Sequence, residues 1–363
     1  MLRAFIEHRL RAAWQRRGPL AVLLWPLSRL YGALAARQRA VDASKAVRLP
    51  VPVVVVGNVI PGGAGKTPTT LAIVQHLKAR GWRPGIVSRG HGRASSDCRE
   101  VGPGADPQDV GDEPLLLRRR AAVPVFVAPR RAEAGRALLA AHPACDILVC
   151  DDGLQHVALA RDVEICVFDA RGIGNGWLLP AGPLREPWPR AVDLALYTEA
   201  PPKPVGAGLP AMAAPAEHEF PIAGKPAPTT FTATRHLADH ALRTDGTRVP
   251  LAELRGQPLT AVAGIARPEA FFTMLRAAGL TLADTIALPD HYDFNSWQRP
   301  PDKRETLICT EKDALKLWRH DPAALAVPLV LDVPAAFFTA LDGRLAAQGY
   351  HPRHTTAPAP RKP

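Results

Sequence analysis

The sequence predicts an α/β fold built on a mostly parallel sheet, followed by a smaller α/β domain and preceded by a basic, apolar segment. Three observations predict it. Short β-branched runs alternate with helical stretches, a glycine-rich loop separates the first strong strand from the first helix, and Pro, Ala and Gly dominate from Ala200 to about Pro228 between two such regions. A chain of 363 residues suits two domains with an appendage. Its 47% apolar and 22% charged residues are typical of a chain that buries a core, which excludes wholesale disorder and a polytopic membrane protein.

The N-terminal segment is expected to be an amphipathic, membrane-associating element spanning 1–48. It holds ten Lys/Arg against Glu7 and Asp42, so +8 of the formal net charge of +11 sits there. Between the arginines stand Phe5, Ile6, Leu10, Trp14, Leu23, Leu24, Trp25, Leu27, Leu30 and Tyr31. That mixture suits a segment lying among lipid headgroups, with Trp and Tyr at the polar boundary and Arg on anionic phosphates. The charge-free run from Gly18 to Ser28 is 11 residues long and contains two prolines, so it is expected to be too short to cross a bilayer. Only +3 is left for the rest of the chain, which argues against a nucleic-acid partner. The cysteines (Cys98, Cys145, Cys150, Cys166, Cys309) form no CxxC pair, and most fall in strand-like runs. They read as buried free thiols in a reducing compartment.

Val51 to Val56 is a strand of the buried parallel kind, and Thr67 to Lys78 carries a helical pattern. Strands are then expected at Gly85–Ser88, Val123–Ala128, Ile147–Asp151, Val163–Asp169 and Leu194–Thr198, with a helix at Arg131–Ala141. Beyond the Pro/Ala/Gly stretch come strands at Thr260–Ala263, Thr306–Thr310 and Leu329–Val333, and helices at Pro268–Ala278 and Ala314–Arg319. The expected division is a core over 49–215, a smaller domain over 216–350 that closes the cleft, and a disordered tail over 351–363.

The loop Gly57-Asn58-Val59-Ile60-Pro61-Gly62-Gly63-Ala64-Gly65-Lys66-Thr67 lies between strand and helix. Its glycines let backbone N–H groups turn toward phosphate oxygens, Lys66 can reach the β- and γ-phosphates, and the Thr67 hydroxyl can bind Mg²⁺ at the helix N-terminus. This is a variant phosphate loop (P-loop): Ile60 stands where the pattern GxxxxGK[ST] has glycine. Ile60, Pro61, Gly62, Gly63, Ala64, Gly65, Lys66 and Thr67 are therefore the expected nucleotide-binding residues. Ile147-Leu148-Val149-Cys150 runs into Asp151-Asp152-Gly153, a strand ending in paired carboxylates; one can hold the metal and the other can orient a group nearby. Thr310-Glu311-Lys312-Asp313 has the residue types of a guanine-selecting element in the wrong order, so ATP is the expected nucleotide.

Several motifs in order resemble the tetraacyldisaccharide 4′-kinases of lipid A synthesis. They are Gly62-Gly63-Ala64-Gly65-Lys66-Thr67-Pro68, Val87-Ser88-Arg89-Gly90, Gly111-Asp112-Glu113-Pro114 and Asp151-Asp152-Gly153-Leu154-Gln155-His156. The run from Asn175 through Pro180 to Glu186, and Thr310-Glu311-Lys312-Asp313-Ala314, complete the match. The resemblance implies an ATP- and Mg²⁺-dependent transfer to the 4′-hydroxyl of a tetraacylated glucosamine disaccharide 1-phosphate, at the cytoplasmic face of an inner membrane. It implies Asp112 as base, with His291 orienting it across a cleft. Arg185 is expected beside the phosphates with Lys66, and Glu186 beside the metal with Thr67, Asp151 and Asp152. The chain departs from the family at His91, where Tyr is usual, and after the Asp290-His291 pair. The competing reading is a membrane-associated regulatory P-loop NTPase with no small-molecule acceptor. No residue of 1–48 is expected to serve phosphoryl transfer itself.

Overall fold

The computed structural model describes residue 10 and residues 13–199, 228–299 and 305–352. Most of the expected Pro/Ala/Gly connection and of the expected tail lies outside them.

Helix α1 (Pro19–Ser44) leads the fold, with Pro19 at its first position, where a missing N–H costs nothing. The first sheet follows from β1 (Val53–Gly57), β2 (Pro84–Ser88), β3 (Arg99–Glu100), β4 (Val125–Val127), β5 (Ile147–Asp151), β6 (Val163–Phe168), β7 (Leu194–Tyr197) and β8 (Thr229–Thr232). Its order is β3-β4-β2-β5-β1-β6-β7-β8, parallel throughout except for β3. β1 is central: Val56 lies opposite Asp151 on one side and Ile165 on the other. Its valines explain the place, since Val54 and Val56 enter one apolar core and Val53 and Val55 the other, which leaves no face for polar residues. Helices α2 (Lys66–Ala79), α3 (Pro107–Val110), α4 (Asp112–Ala121) and α5 (Arg131–Ala141) connect these strands.

The second unit holds β9 (Thr234–Leu237), β10 (His240–Leu242), β11 (Arg248–Pro250), β12 (Pro258–Ala263), β13 (Thr281–Ala287), β14 (Thr306–Thr310), β15 (Leu325–Val327) and β16 (Leu329–Asp332). Six of them form a mixed sheet, β11-β10-β15-β14-β12-β13, flanked by α6 (Pro268–Ala277) and α7 (Glu311–Leu317). The stretch expected as one C-terminal unit contributes to both halves. β8 extends the first sheet, and α8 (Ala335–Ala347) buries Phe337, Leu341 and Leu345 in the first sheet's core. Burial of those three side chains is what returns the chain to its starting domain.

Helix α1 corrects the expectation of length. It continues through Pro26 and Arg29 for 26 residues, and its most apolar 18-residue window has a mean hydropathy of 1.3, so by length and composition it is long enough to cross a membrane. Counting only the charge-free run hid this, because one arginine and one proline do not end the helix. One side of α1 is docked. Ser28 donates through Oγ to the Leu178 carbonyl oxygen at 2.8 Å and accepts from the Ala181 N–H at 2.9 Å. A Cβ on Gly32 would come within 2.7 Å of Leu178 Cδ1, so the helix and the loop approach closely here. The other side presents Leu20, Leu23, Leu27, Leu30 and Leu34 to the exterior, with Leu23 75% exposed.

Candidate active site

The parallel strands β1 and β5 end beside one another, and the loops leaving their carboxyl ends build the site. After β1 the chain enters the phosphate loop. Gly65 has φ +91°, in the left-handed region, and a Cβ there would meet the Arg235 guanidinium at 2.8 Å and the Thr198 methyl at 2.9 Å. Ile60, in the place of the usual glycine, is buried in the core beneath the loop. The loop is thus anchored by an apolar side chain, while Gly62 and Gly63 supply the exposed turn. Pro61 has no N–H to offer a phosphate; its carbonyl oxygen accepts from Arg171 at 3.1 Å. Thr198 donates to the Ala64 carbonyl oxygen at 3.1 Å, so the outer side of the loop is braced.

Lys66, Asn58, Asp152 and Arg185 converge inside it. Lys66 Nζ lies 3.4 Å from Asn58 Oδ1 and 3.7 Å from Asp152 Oδ1. Arg185 Nη2 donates to the same Asn58 oxygen at 2.9 Å and lies 3.6 Å from Asp152 Oδ1. Asp152 sits in a left-handed backbone conformation, φ 49°, the kind of strain that collects at functional sites. Burial pushes its carboxyl up, but Lys66 and Arg185 outweigh that and hold it below the usual carboxylate range. Asp151 is fully buried and accepts from Thr70 Oγ1 at 3.0 Å. Burial, with Glu113 and Asp152 near, pushes its carboxyl up.

Asp151 Oδ2 and Asp152 Oδ1 are buried and lack a hydrogen-bond partner. Two carboxylate oxygens without a hydrogen-bond partner, one of them facing Lys66 of the phosphate loop, fit a hard divalent cation such as Mg²⁺. Glu186 is not gathered with them: among the described residues no three His, Cys, Asp or Glu side chains form a metal-sized group. Its buried carboxylate is instead taken by Gln155 at 2.8 Å, Arg190 at 3.1 Å and Arg39 of α1. Two guanidiniums and an amide leave it a structural anchor for the loop that carries Arg185.

A second cluster of charged side chains is formed by α4 and the second unit. Asp112 starts α4, where the helix dipole favours its charge, and it is buried. His291 Nδ1 lies 3.6 Å from Asp112 Oδ2. Lys312 Nζ lies 3.2 Å from His291 Nε2. An ammonium can only donate, so Nε2 accepts and the proton belongs on Nδ1, facing the carboxylate. Burial alone would raise the Asp112 carboxyl; His291 and Lys316 beside it hold it below the usual range.

Sequence reasoning missed Asn58, Gln155 and Lys316, and it singled out Lys312 without naming His291 as its partner. Gln155 joins the halves of the Arg185 loop, accepting from Arg185 at 2.9 Å while donating to Glu186. The signal for the lysines was their i, i+4 spacing on one helix, which puts both on one face. Two arginines near the site take structural partners: Arg131 donates to the Asp152 carbonyl oxygen at 2.9 Å, and Arg120 pairs with Glu311 at 2.5 Å.

The comparisons agree on a family. The profile of the tetraacyldisaccharide-1-P 4′-kinase family matches residues 20–346. A tetraacyldisaccharide 4′-kinase of Acidovorax sp. (strain JS42) is 61% identical over 345 residues, covering 94% of this chain and 96% of that one. One from Methylibium petroleiphilum (strain ATCC BAA-1232 / LMG 22953 / PM1) is 45% identical over 355 residues, 95% of each chain. The crystal structure of the apo form of LpxK from Aquifex aeolicus in complex with ATP superposes with a TM-score of 0.73 at 27% identity. It covers 91% of this chain and 100% of that one. By sequence and by fold, this chain belongs to the tetraacyldisaccharide 4′-kinase family.

Proposed function

We propose that this cleft transfers the γ-phosphate of ATP to the 4′-hydroxyl of a tetraacylated glucosamine disaccharide 1-phosphate. The observation that carries the reading is that a phosphate-binding loop and a buried aspartate, Asp112, with His291 beside it sit in one molecule, as transfer to a hydroxyl needs. ATP as donor is supported by the Aquifex relative, which was crystallised with it.

The transition state for phosphoryl transfer is loose and anionic, so the protein's work is positioning, charge neutralisation and removal of one proton. Backbone N–H groups of Gly62, Gly63 and Gly65 turn to the phosphates, while that of Ala64 closes the loop on the Gly62 carbonyl oxygen at 3.0 Å, and Lys66 and Arg185 oppose the developing charge. Asn58, which accepts from both, keeps the two cations at a fixed separation. Thr67, Asp151 and Asp152 are the residues that would hold Mg²⁺, which when bound would supply positive charge against the phosphates. Asp112 takes the proton of the acceptor hydroxyl, and His291 orients its carboxylate.

The exposed apolar side of α1, with the basic residues of 1–48, supports a peripheral position on an anionic membrane surface, where the acceptor's acyl chains would stay in the bilayer. Residues 49–199 supply the nucleotide half of the cleft, and much of 228–299 and 305–350 supplies its lid side. The test is incubation with ATP, Mg²⁺ and a lipid disaccharide monophosphate, with the product read by mass spectrometry. Gain of one phosphate is expected. ATP hydrolysis with no phosphorylated lipid would instead favour a regulatory NTPase.

A further inference from the structure

A buried ion pair joins the two units at the acceptor side. Lys316 of α7 donates through Nζ to Asp112 Oδ2 at 2.8 Å, and the two side chains are 10% and 11% exposed. Such a pair is weak evidence for stability, because desolvation offsets much of the attraction. It also lowers the basicity of Asp112, so a role in the site has to account for it.

The geometry suggests one. Lys316 and His291 both approach Oδ2, and among the described residues no hydrogen bond falls on Oδ1. The surrounding charges are otherwise engaged. Lys312, one turn earlier on α7, meets His291 and lies 3.7 Å from both Glu113 and Asp290. His91 contacts the His291 ring edge-on at 5.8 Å. Lys66 of α2, which also packs on α4, turns to Asp152, and Asp106 before α3 pairs with Arg319.

We propose that Lys316 is a positioning residue for the acceptor-side base: from the second unit its ammonium fixes Oδ2, so that the buried carboxylate stays ionised and presents Oδ1 to the acceptor hydroxyl. This rests on reading Asp112 as the base. In a loose transition state the hydroxyl keeps its proton until late, so an ionised and aimed carboxylate matters more than a strongly basic one. Because Asp112 belongs to the first unit, and Lys316 and His291 to the second, the base is assembled only when the two are together.

The experiment compares pH profiles of kcat/KM for the full chain, Lys316→Met, Lys316→Arg and Asp112→Asn, with acceptor in detergent micelles. An ammonium at this distance lowers a carboxyl by about one to three units, so in Lys316→Met the acidic limb should move up by about one unit or more. Its kcat should fall about tenfold or more, as for a misplaced acid–base group, while the KM for ATP is held. Lys316→Arg should keep the limb near its original position. If Lys316→Met does not fold, Lys316→Gln carries the same comparison. Superposition of the charge-removed profile on that of the unmodified protein, with the limb lost in Asp112→Asn, would overturn the role of Lys316 and leave the base intact. A limb that survives in Asp112→Asn would instead remove the base itself, and the proposal with it.

Discussion

Tyr31 of the N-terminal helix donates through Oη to the backbone carbonyl oxygen of Arg185, at 2.9 Å. Three residues of α1 therefore hold the loop over 178–186: Ser28 at Leu178 and Ala181, Tyr31 at Arg185, and Arg39 at Glu186. This runs against the expectation that residues 1–48 have no part in phosphoryl transfer. Tyr31→Phe removes one hydrogen bond, worth about 0.5–1.5 kcal/mol. With acceptor in detergent micelles, kcat should fall several-fold while the KM for ATP is unchanged. An unaltered kcat would reduce α1 to a surface contact.

Lys66→Ala removes a cation aimed at the transferring group, and Asp152→Ala one of the two carboxylates proposed for Mg²⁺. Each should lower kcat by about 10²-fold or more, on the scale of losing one preorganised electrostatic partner. Asp152→Ala should also raise the Mg²⁺ concentration needed for half-maximal rate. Steady-state kinetics at saturating ATP checks both, and near-normal rates would disprove the placement of the phosphates.

Gly65→Ala forces a left-handed backbone onto alanine and drives its methyl into Arg235 and Thr198. Strain of this kind costs about 1–3 kcal/mol. Thermal unfolding should shift down by several degrees, and nucleotide should recover less of the loss than in the unmodified protein. A Tm equal to that of the parent would mean that the loop tolerates another conformation.

His156 should make the fold acid-sensitive. Its Nε2 accepts from the Arg131 N–H at the start of α5, at 3.3 Å, which requires the neutral ring. Burial, aided by Arg131 and Arg161, lowers its pKa from 6.5 to about 4. The folded-state value lies below the unfolded one, so the stabilisation is complete above about pH 6.5 and is lost as pH falls toward 4. The loss is at most about 3 kcal/mol at 1.36 kcal/mol per unit. His156→Gln, which cannot charge, should flatten the decline of Tm across this window. An unchanged slope would assign the decline to other groups.

Leu23→Glu with Leu30→Glu places charge on the exposed side of α1, away from its docked side. Co-sedimentation with anionic vesicles should fall sharply, and turnover of micellar acceptor should stay within about twofold, since exposed substitutions of this kind rarely exceed 0.5 kcal/mol. Equal sedimentation would move the membrane contact elsewhere on the molecule.

The nucleotide half was legible because its chemistry is local. A valine run, a glycine loop, Lys66 and a strand ending in Asp151-Asp152 are read from neighbours in the chain, and β5, α5 and β14 fall where periodicity puts them. What escaped is what only packing creates. Lys316 faces Asp112 across 204 positions, and Phe337 returns to the first core from the far side of the second unit. Glu186 read as a metal ligand because carboxylates are; only the approach of Arg39, Arg190 and Gln155 reveals that it is already satisfied. Lys312 and Lys316 were visible as a pair on a helix face, but nothing in the spacing named the carboxylate they would meet.

The docking of α1 sets a height. At 1.5 Å per residue the helix is ~39 Å long, and Trp14, which precedes it, donates to the Pro180 carbonyl oxygen, while Arg39 near its far end reaches Glu186. Tied at both ends, it has no swivel between the apolar side it turns outward and the cleft that holds Lys66 and Asp112. A helix lying in the headgroup layer would then act as a ruler, keeping the reacting atoms at one elevation above the acyl chains. Among glycolipids of the same chemistry, those whose hydroxyl stands at that elevation would be turned over. A headgroup lengthened by further sugars would overshoot the cleft, however well its terminal ring matched.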